Sequence, residues 1–320
     1  MQRLSCDDGS VTPVDMGKCK LFALMQIFKS KLIWRLCNYS KLMRINKPIG
    51  IWLLLWPTLW ALWLASEGTP NQGIFVIFIL GVIIMRSAGC VLNDYVDRKI
   101  DPYVERTQNR PIASEVVTPL EALILFAALS LIAIGLATML NKQTQLLAIV
   151  AGGLTITYPF VKHYFSIPQL ILGAAFGWAV PMAFTAETGK TSELAWLVFG
   201  STMIWVIIYD TFYAMVDRED DLKIGVKSTA ILFGNFDLFV IAGLQVLMLL
   251  ALIMIGYLAE LSVWYYASIF FAAGFMVYHL WLARDRQPEG CFAAFLNNHI
   301  IGLIVFIGLL LHYTFNPSIA

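Results

Sequence analysis

Read along its hydrophobic and polar positions, the chain resolves into long apolar runs separated by short polar breaks. Nine runs are long enough to be membrane spans: 49–66, 74–96, 119–140, 144–162, 168–186, 194–216, 237–258, 262–283 and 292–314. The breaks carry turn and cap chemistry, as in Glu67-Gly68-Thr69-Pro70, Asn141-Lys142, Ser166-Ile167-Pro168 and Glu187-Thr188-Gly189-Lys190. Ahead of the first run, residues 20–36 place apolar side chains at 21, 24, 25, 28, 32 and 36 against Lys20, Lys29, Lys31 and Arg35. That pattern predicts a basic amphipathic helix lying on a membrane surface. The chain thus divides into an N-terminal extension, residues 1–38, and a membrane domain, residues 39–320.

Composition agrees with the pattern. Of 320 residues, 59% are hydrophobic and 13% charged, and mean hydropathy is +0.74; a soluble domain has about twice that charge. The fold class expected is an all-α integral membrane protein. A net charge of +1 points to no nucleic-acid partner. The five cysteines form no CxxC pair and no metal-type spacing with His163, His279, His299 or His312. Basic residues set the orientation. With the N-terminus in the cytoplasm, 19 of the 22 Lys and Arg fall on the cytoplasmic side and 2, Lys142 and Lys190, on the other; Arg86 lies within the second run. No cleavage site follows an early apolar run, and Asp7, Asp8 and Asp15 argue against a transit peptide. A bacterial inner membrane is therefore expected over a mitochondrial one.

Charge gathers at two places. In VLNDYVDRKIDPYVERTQNRPIAS (91–114), Asn93, Asp97 and Asp101 recur every four residues, which puts them on one face of a continued helix. In YDTFYAMVDREDDLKIGVKS (209–228), Tyr213, Asp217 and Asp221 repeat the spacing about 120 residues later. Both stretches lie at cytoplasmic ends of spans. Four close carboxylates repel one another and take up protons. A hard divalent cation removes that conflict: Mg²⁺ binds carboxylate oxygens and is usually completed by substrate phosphates. Arg98, Arg106, Arg110, Lys162, Lys223 and Lys227 form a matching anion clamp. A solvated loop obeying the positive-inside rule explains one such run less awkwardly than two matched ones.

These residues carry a resemblance. Asn93-Asp94-Tyr-x-Asp97-Arg98-x-x-Asp101 is similar to the first aspartate motif of UbiA-type membrane prenyltransferases. Tyr209-Asp210-Thr211-x-Tyr213-Ala214-x-x-Asp217-Arg218-x-Asp220-Asp221 resembles the second. LMRINKPIG (42–50), RTQNRPIAS (106–114), TYPFVKH (157–163) and LKIGVKSTAILFG (222–234) resemble the 4-hydroxybenzoate polyprenyltransferase branch, and the likeness runs from about residue 39 to the C-terminus. It implies nine transmembrane helices around a central cavity capped on the cytoplasmic side. It also implies Mg²⁺-dependent transfer of a polyprenyl group from an all-trans polyprenyl diphosphate to C3 of 4-hydroxybenzoate in ubiquinone biosynthesis, with release of pyrophosphate.

On that reading Asn93, Asp97, Asp101, Asp217 and Asp221 hold Mg²⁺ and diphosphate, and Arg44, Arg106 and Lys162 touch the diphosphate. Tyr158 supports it, or is an interfacial aromatic anchor. Arg86 sits seven residues before Asn93, deeper in the membrane, where a charge is functional by default. It is the expected ligand of the acceptor's carboxylate, the alternative being a structural ion pair with Asp94 or Asp210. Asp94 and Asp210 are candidates for accepting the ring proton or binding the substrate hydroxyl. Rival readings are a transporter, a phosphatidyltransferase-like enzyme, and a sister prenyltransferase with another acceptor. Intramembrane charge suits the first, but here the acids sit at the mouth of the spans.

Overall fold

A computed structural model describes residues 33–161, 165, 167–225 and 227–316. Among them every regular element is helical. Residues 33–42 form a helix that turns sharply at Arg44, whose φ of 55° lies in the left-handed region. The chain continues as α1 (Ile49–Ala65), α2 (Gln72–Asp97), α3 (Pro119–Thr138), α4 (Lys142–Val161), α5 (Pro168–Gly177) and α6 (Ala179–Thr188). Then come α7 (Glu193–Val216), α8 (Arg218–Ile224), α9 (Thr229–Phe233), α10 (Asp237–Leu258), α11 (Val263–Ala283) and α12 (Pro288–Phe315). The amphipathic stretch 20–36 falls largely outside the described residues.

Eight of the predicted runs are helical segments long and apolar enough to cross a membrane, so this is a multi-pass membrane protein. The remaining run, α1, is a 17-residue apolar helix. The run 168–186 is two helices meeting at Trp178. Pro181 has no N–H for the Gly177 carbonyl, so the helical ladder breaks there. The run 237–258 is preceded by α9 and a 3₁₀ turn at Gly234–Phe236.

The helix starts follow local rules. Asn71 accepts from the Gly73 and Ile74 amides at the head of α2. Thr118 and Glu121 form a reciprocal capping box at the head of α3. Glu121 also accepts from the Tyr39 hydroxyl at 3.0 Å and pairs with Arg35, tying the 33–42 helix to α3.

Packing is closest between α11 and α12, α2 and α3, α7 and α10, and α5 and α7. Gly173 and Gly177 let α5 approach α7: a Cβ on them would lie 3.3 Å from the Met203 carbonyl oxygen and 3.0 Å from Phe199. These two glycines, four apart on one face of α5, permit close backbone approach as small residues do. Trp60 stacks on Trp205 and donates to the Gly302 carbonyl at 2.9 Å. Trp56 is buried beside Gly302, and Trp63 packs on Phe75 and Phe306. Met248 is buried and Met254 exposed.

Two expectations about helix geometry are corrected. Asp101 does not share a continued helix with Asn93 and Asp97. The helix α2 ends at Asp97, and Asp101 opens a 3₁₀ turn, Asp101–Tyr103, whose backbone carbonyl accepts from the Thr107 hydroxyl. Likewise α7 ends at Val216, and Asp221 belongs to α8. The echo between the halves survives as a shared break in both, not as two unbroken carboxylate faces.

Candidate active site

The ends of α2 and α7 open onto one cavity of ≈ 1600 Å³. Helices α1 to α7 and α12 all contribute to its wall, whereas α10 and α11 do not. One end is charged, with Asn93, Asp97, Asp101, Asp217 and Asp221 facing Arg44, Arg106, Arg110 and Lys227. The remainder is apolar, built from side chains such as Phe78, Val82, Ile134, Ile149 and Leu172.

Most charges at the mouth are already matched. Arg106 grips Asp217 with two parallel bonds, Nε to Oδ1 at 2.8 Å and Nη2 to Oδ2 at 2.6 Å. Its Nη1 donates to the Tyr213 hydroxyl, and its Cζ lies 4.7 Å from that ring's centroid. Such forked pairs are strong and directional. Asp94 is 2% exposed, and its Oδ1 accepts from Arg44 at 2.8 Å and Arg110 at 3.1 Å. Arg110 also donates to both oxygens of Asp101, at 3.0 and 2.9 Å. Asn93 donates to Asp97 Oδ2 at 3.1 Å.

Burial and neighbouring charge raise proton affinity here. Burial, reinforced by Asp217, pushes the Asp221 carboxyl up to about 7, although Arg106 pulls the other way. Burial also raises Asp101, against the pull of Arg110. In both, burial is the larger cause, and repulsion from neighbouring carboxylates, Asp217 for Asp221 and Asp97 for Asp101, adds to it.

Could these residues hold a divalent cation? The donor set is all hard oxygen, as Mg²⁺ requires. Among the described residues no three His, Cys, Asp or Glu converge closely enough to bind a metal by themselves. The set therefore fits a metal that brings some of its own ligands, such as phosphate oxygens and waters. It does not fit a preformed all-protein cage.

Arg86 stands apart. It lies on α2 two turns before Asn93 and lines the apolar part of the cavity. Its Cζ is 5.7 Å from the Phe176 ring centroid, and it makes no hydrogen bond or salt bridge with any other described residue. The structural ion pair with Asp94 does not form, because Arg44 and Arg110 occupy that carboxylate. No Arg86–Asp210 salt bridge occurs among the described residues either. Tyr158, Tyr209 and Asp210 line the same cavity, and both tyrosines are within electrostatic range of Arg86 and of Asp210.

The anion clamp needs two corrections. Arg98 turns back to the Tyr95 carbonyl at 2.7 Å and lies over that ring, and Lys223 pairs with Asp220 at 3.0 Å. Neither lines the cavity. Lys162 lies outside the described residues. Arg110, expected in the anion clamp, instead bridges Asp94 and Asp101; two cavity residues, Tyr213, which braces Arg106, and Tyr209, were given no site role from sequence. Both tyrosines lie in the second charged stretch, but the partner of Tyr213, Arg106, lies in the first.

The profile of the UbiA prenyltransferase family matches residues 54–310. The 4-hydroxybenzoate octaprenyltransferase of Nitrosococcus oceani is 54% identical over 279 residues, covering 87% of this chain and 98% of that relative. The protein of the same name from Coxiella burnetii is 50% identical over 276 residues, covering 86% of this chain and 96% of its own. The apo structure of a UbiA homolog from Aeropyrum pernix K1 superposes with a TM-score of 0.72 at 25% identity, over 82% of this chain and 97% of that one. A UbiA homolog from Archaeoglobus fulgidus bound to GPP and Mg²⁺ has a TM-score of 0.68 at 16% identity, over 85% and 99%, a likeness of fold alone. With two aspartate-bearing helix ends converging on one cavity and a family match spanning most of its length, the chain belongs to the UbiA prenyltransferase family.

Proposed function

We propose that the chain transfers a polyprenyl group from a polyprenyl diphosphate to C3 of 4-hydroxybenzoate, releasing pyrophosphate, in ubiquinone biosynthesis. The observation that carries this is the cavity itself: a charged mouth, an apolar interior, and one arginine, Arg86, unpaired within it among the described residues. The mouth suits a diphosphate, the interior a prenyl chain, and Arg86 an aromatic carboxylate. The names of relatives at 50–54% identity support the same acceptor.

In this reading α1 is the ninth span, and the loops carrying the aspartates, with α8 and the 33–42 helix, form a cytoplasmic cap. The N-terminus is cytoplasmic, and the membrane is a bacterial inner membrane. Asn93, Asp97, Asp101, Asp217 and Asp221 hold Mg²⁺ together with the diphosphate. A cation bound there supplies positive charge as the diphosphate departs. Arg106, Arg44 and Lys162 contact the diphosphate oxygens and stabilise the negative charge that grows on them as the C1–O bond breaks. Arg106 does so by exchanging Asp217 for phosphate oxygens. Tyr158 braces the same end of the cavity. Arg86 holds the acceptor carboxylate in a bidentate grip, which presents the carbon ortho to the phenol oxygen to the allylic cation. The apolar wall keeps water from that cation. Asp94 is committed to two arginines and stays a structural carboxylate. Asp210 is the better acceptor for the ring proton.

The test is transfer of radiolabelled 4-hydroxybenzoate into lipid by membranes or detergent extracts, with a polyprenyl diphosphate and with or without Mg²⁺. We expect labelled lipid that requires Mg²⁺ and is lost in Asp97→Ala. An absence of product across several prenyl chain lengths, with a homogentisate or dihydroxynaphthoate acceptor labelled instead, would overturn the acceptor. No product with any aromatic acceptor would overturn prenyl transfer.

A further inference from the structure

Gly50 is the second residue of α1 and is buried. Its backbone is ordinary helix with no positive φ, so nothing in the chain's path demands a glycine there. On propensity alone alanine would be better. The demand comes from across the cavity. A Cβ built on Gly50 would lie 2.7 Å from Arg86 Cζ and closer still to Nε and Nη2. All three atoms belong to the guanidinium, so this group rests directly against the bare backbone of Gly50. Phe176, on α5, is its other neighbour of note. No hydrogen bond from a described residue fixes Arg86, so contact with Gly50 and Phe176 is what sets its position.

We infer that Gly50 is a specificity-determining positioning residue: its missing side chain seats the Arg86 guanidinium where it can meet a carboxylate on the acceptor ring. This rests on the proposed role of Arg86. A methyl group at position 50 has to displace the guanidinium by roughly 1 Å, and a forked pair that works at about 2.7–2.9 Å does not survive that shift intact. Displacements of this size near a reacting group lower rates by as much as about 10²-fold. The effect falls on acids, because a neutral acceptor does not use the charge. Selectivity between an acid and its amide thus depends on Gly50 through the place it gives the Arg86 guanidinium.

The experiment compares the full-length enzyme with Gly50→Ala, Arg86→Ala and the double variant Gly50→Ala/Arg86→Lys. Dissociation constants for 4-hydroxybenzoate and for 4-hydroxybenzamide are measured by calorimetry in detergent, beside KM for polyprenyl diphosphate and the rate of thermal inactivation. We expect Gly50→Ala to reduce the preference for acid over amide about tenfold or more, with the polyprenyl diphosphate KM and the inactivation rate unchanged. The slimmer lysine head, with a single charged atom, should recover part of the preference in the double variant. If Arg86→Ala loses the preference but Gly50→Ala keeps it, the inference about Gly50 is overturned and the role of Arg86 stands. If Arg86→Ala keeps it too, both are overturned. A Gly50→Ala protein that loses affinity for acid, amide and diphosphate alike, or inactivates faster, shows a packing role and also overturns the inference.

Discussion

On the proposed assignment of Asp221 to the cation, the metal requirement depends on pH. The Asp221 carboxyl is pushed up to about 7, by burial first and by the charge of Asp217 second. The cation needs the ionised form, so protons compete with it. For one competing proton the apparent dissociation constant scales as one plus the ratio of proton concentration to the acid constant. It is then about twofold above its limit at pH 7 and about elevenfold above it at pH 6, but within about 10% of it at pH 8. The Mg²⁺ concentration for half-maximal rate should fall about tenfold from pH 6 to pH 8, measured from initial rates of labelled lipid formation at saturating substrates. The stability sign is fixed by the same shift. A carboxyl whose folded value is raised favours the folded state at low pH, and that contribution is lost as pH rises through about 7. Metal-free protein should therefore inactivate faster at pH 8 than at pH 6, and Mg²⁺ added together with a diphosphate should protect it more at pH 8. In Asp221→Asn the remaining pH dependence of the Mg²⁺ requirement should shrink. A half-maximal concentration that stays flat from pH 6 to 8 in the parent would refute the reasoning, because it would mean that no ligand carries an exchangeable proton.

Three further predictions concern packing and pairing. Gly302→Ala places a Cβ 2.6 Å from Trp205 and 2.7 Å from Trp56 Cγ; overpacking should destabilise by about 1–3 kcal/mol and shorten the half-life of thermal inactivation in detergent. Arg110→Ala leaves Asp101 without its guanidinium and Asp94 with Arg44 alone; a loss of about 2–4 kcal/mol is expected, read from the same half-life, with Asp101→Asn added in the double variant recovering part of it. Asp237 is fully buried and accepts from both Arg218 and Arg286; Asp237→Ala should destabilise by about 3–5 kcal/mol, visible as poor recovery of folded protein from membranes, while Arg286→Ala alone should be milder.

The spans were legible because hydrocarbon admits only long apolar helices, and the charged ends because acids cluster in just two stretches. Most of what stayed hidden is non-local. Pro102, directly after Asp101, disfavours helical backbone there and has no N–H for the Arg98 carbonyl, a stop signal the four-residue spacing overrode; Thr107 and Arg110 fold back to hold the turn. Arg98 and Lys223 were placed in the clamp on charge alone, yet each finds a nearer partner, the Tyr95 carbonyl and Asp220. Arg110 looked like one more cation of the clamp, and only the fold shows it joining two carboxylates. The break at Trp178 was readable, since Pro181 deprives the Gly177 carbonyl of its donor, but an unbroken run of apolar residues masked it. Gly50 carries no local signal at all, because its neighbour is 36 positions away in sequence.

The grip of Arg106 on Asp217 bears on the order in which the mouth is loaded. A cation arriving alone must pull Asp217 off a forked guanidinium and leave that guanidinium behind without a counter-charge. A diphosphate arriving alone must do the reverse and strand the carboxylate. Arriving together, each takes one half of the broken pair, and neither the carboxylate nor the guanidinium is stranded. Loading should then be cooperative, with each ion tightening the hold on the other, and the mouth should ignore both stray metal and free phosphate until the complex of the two presents itself.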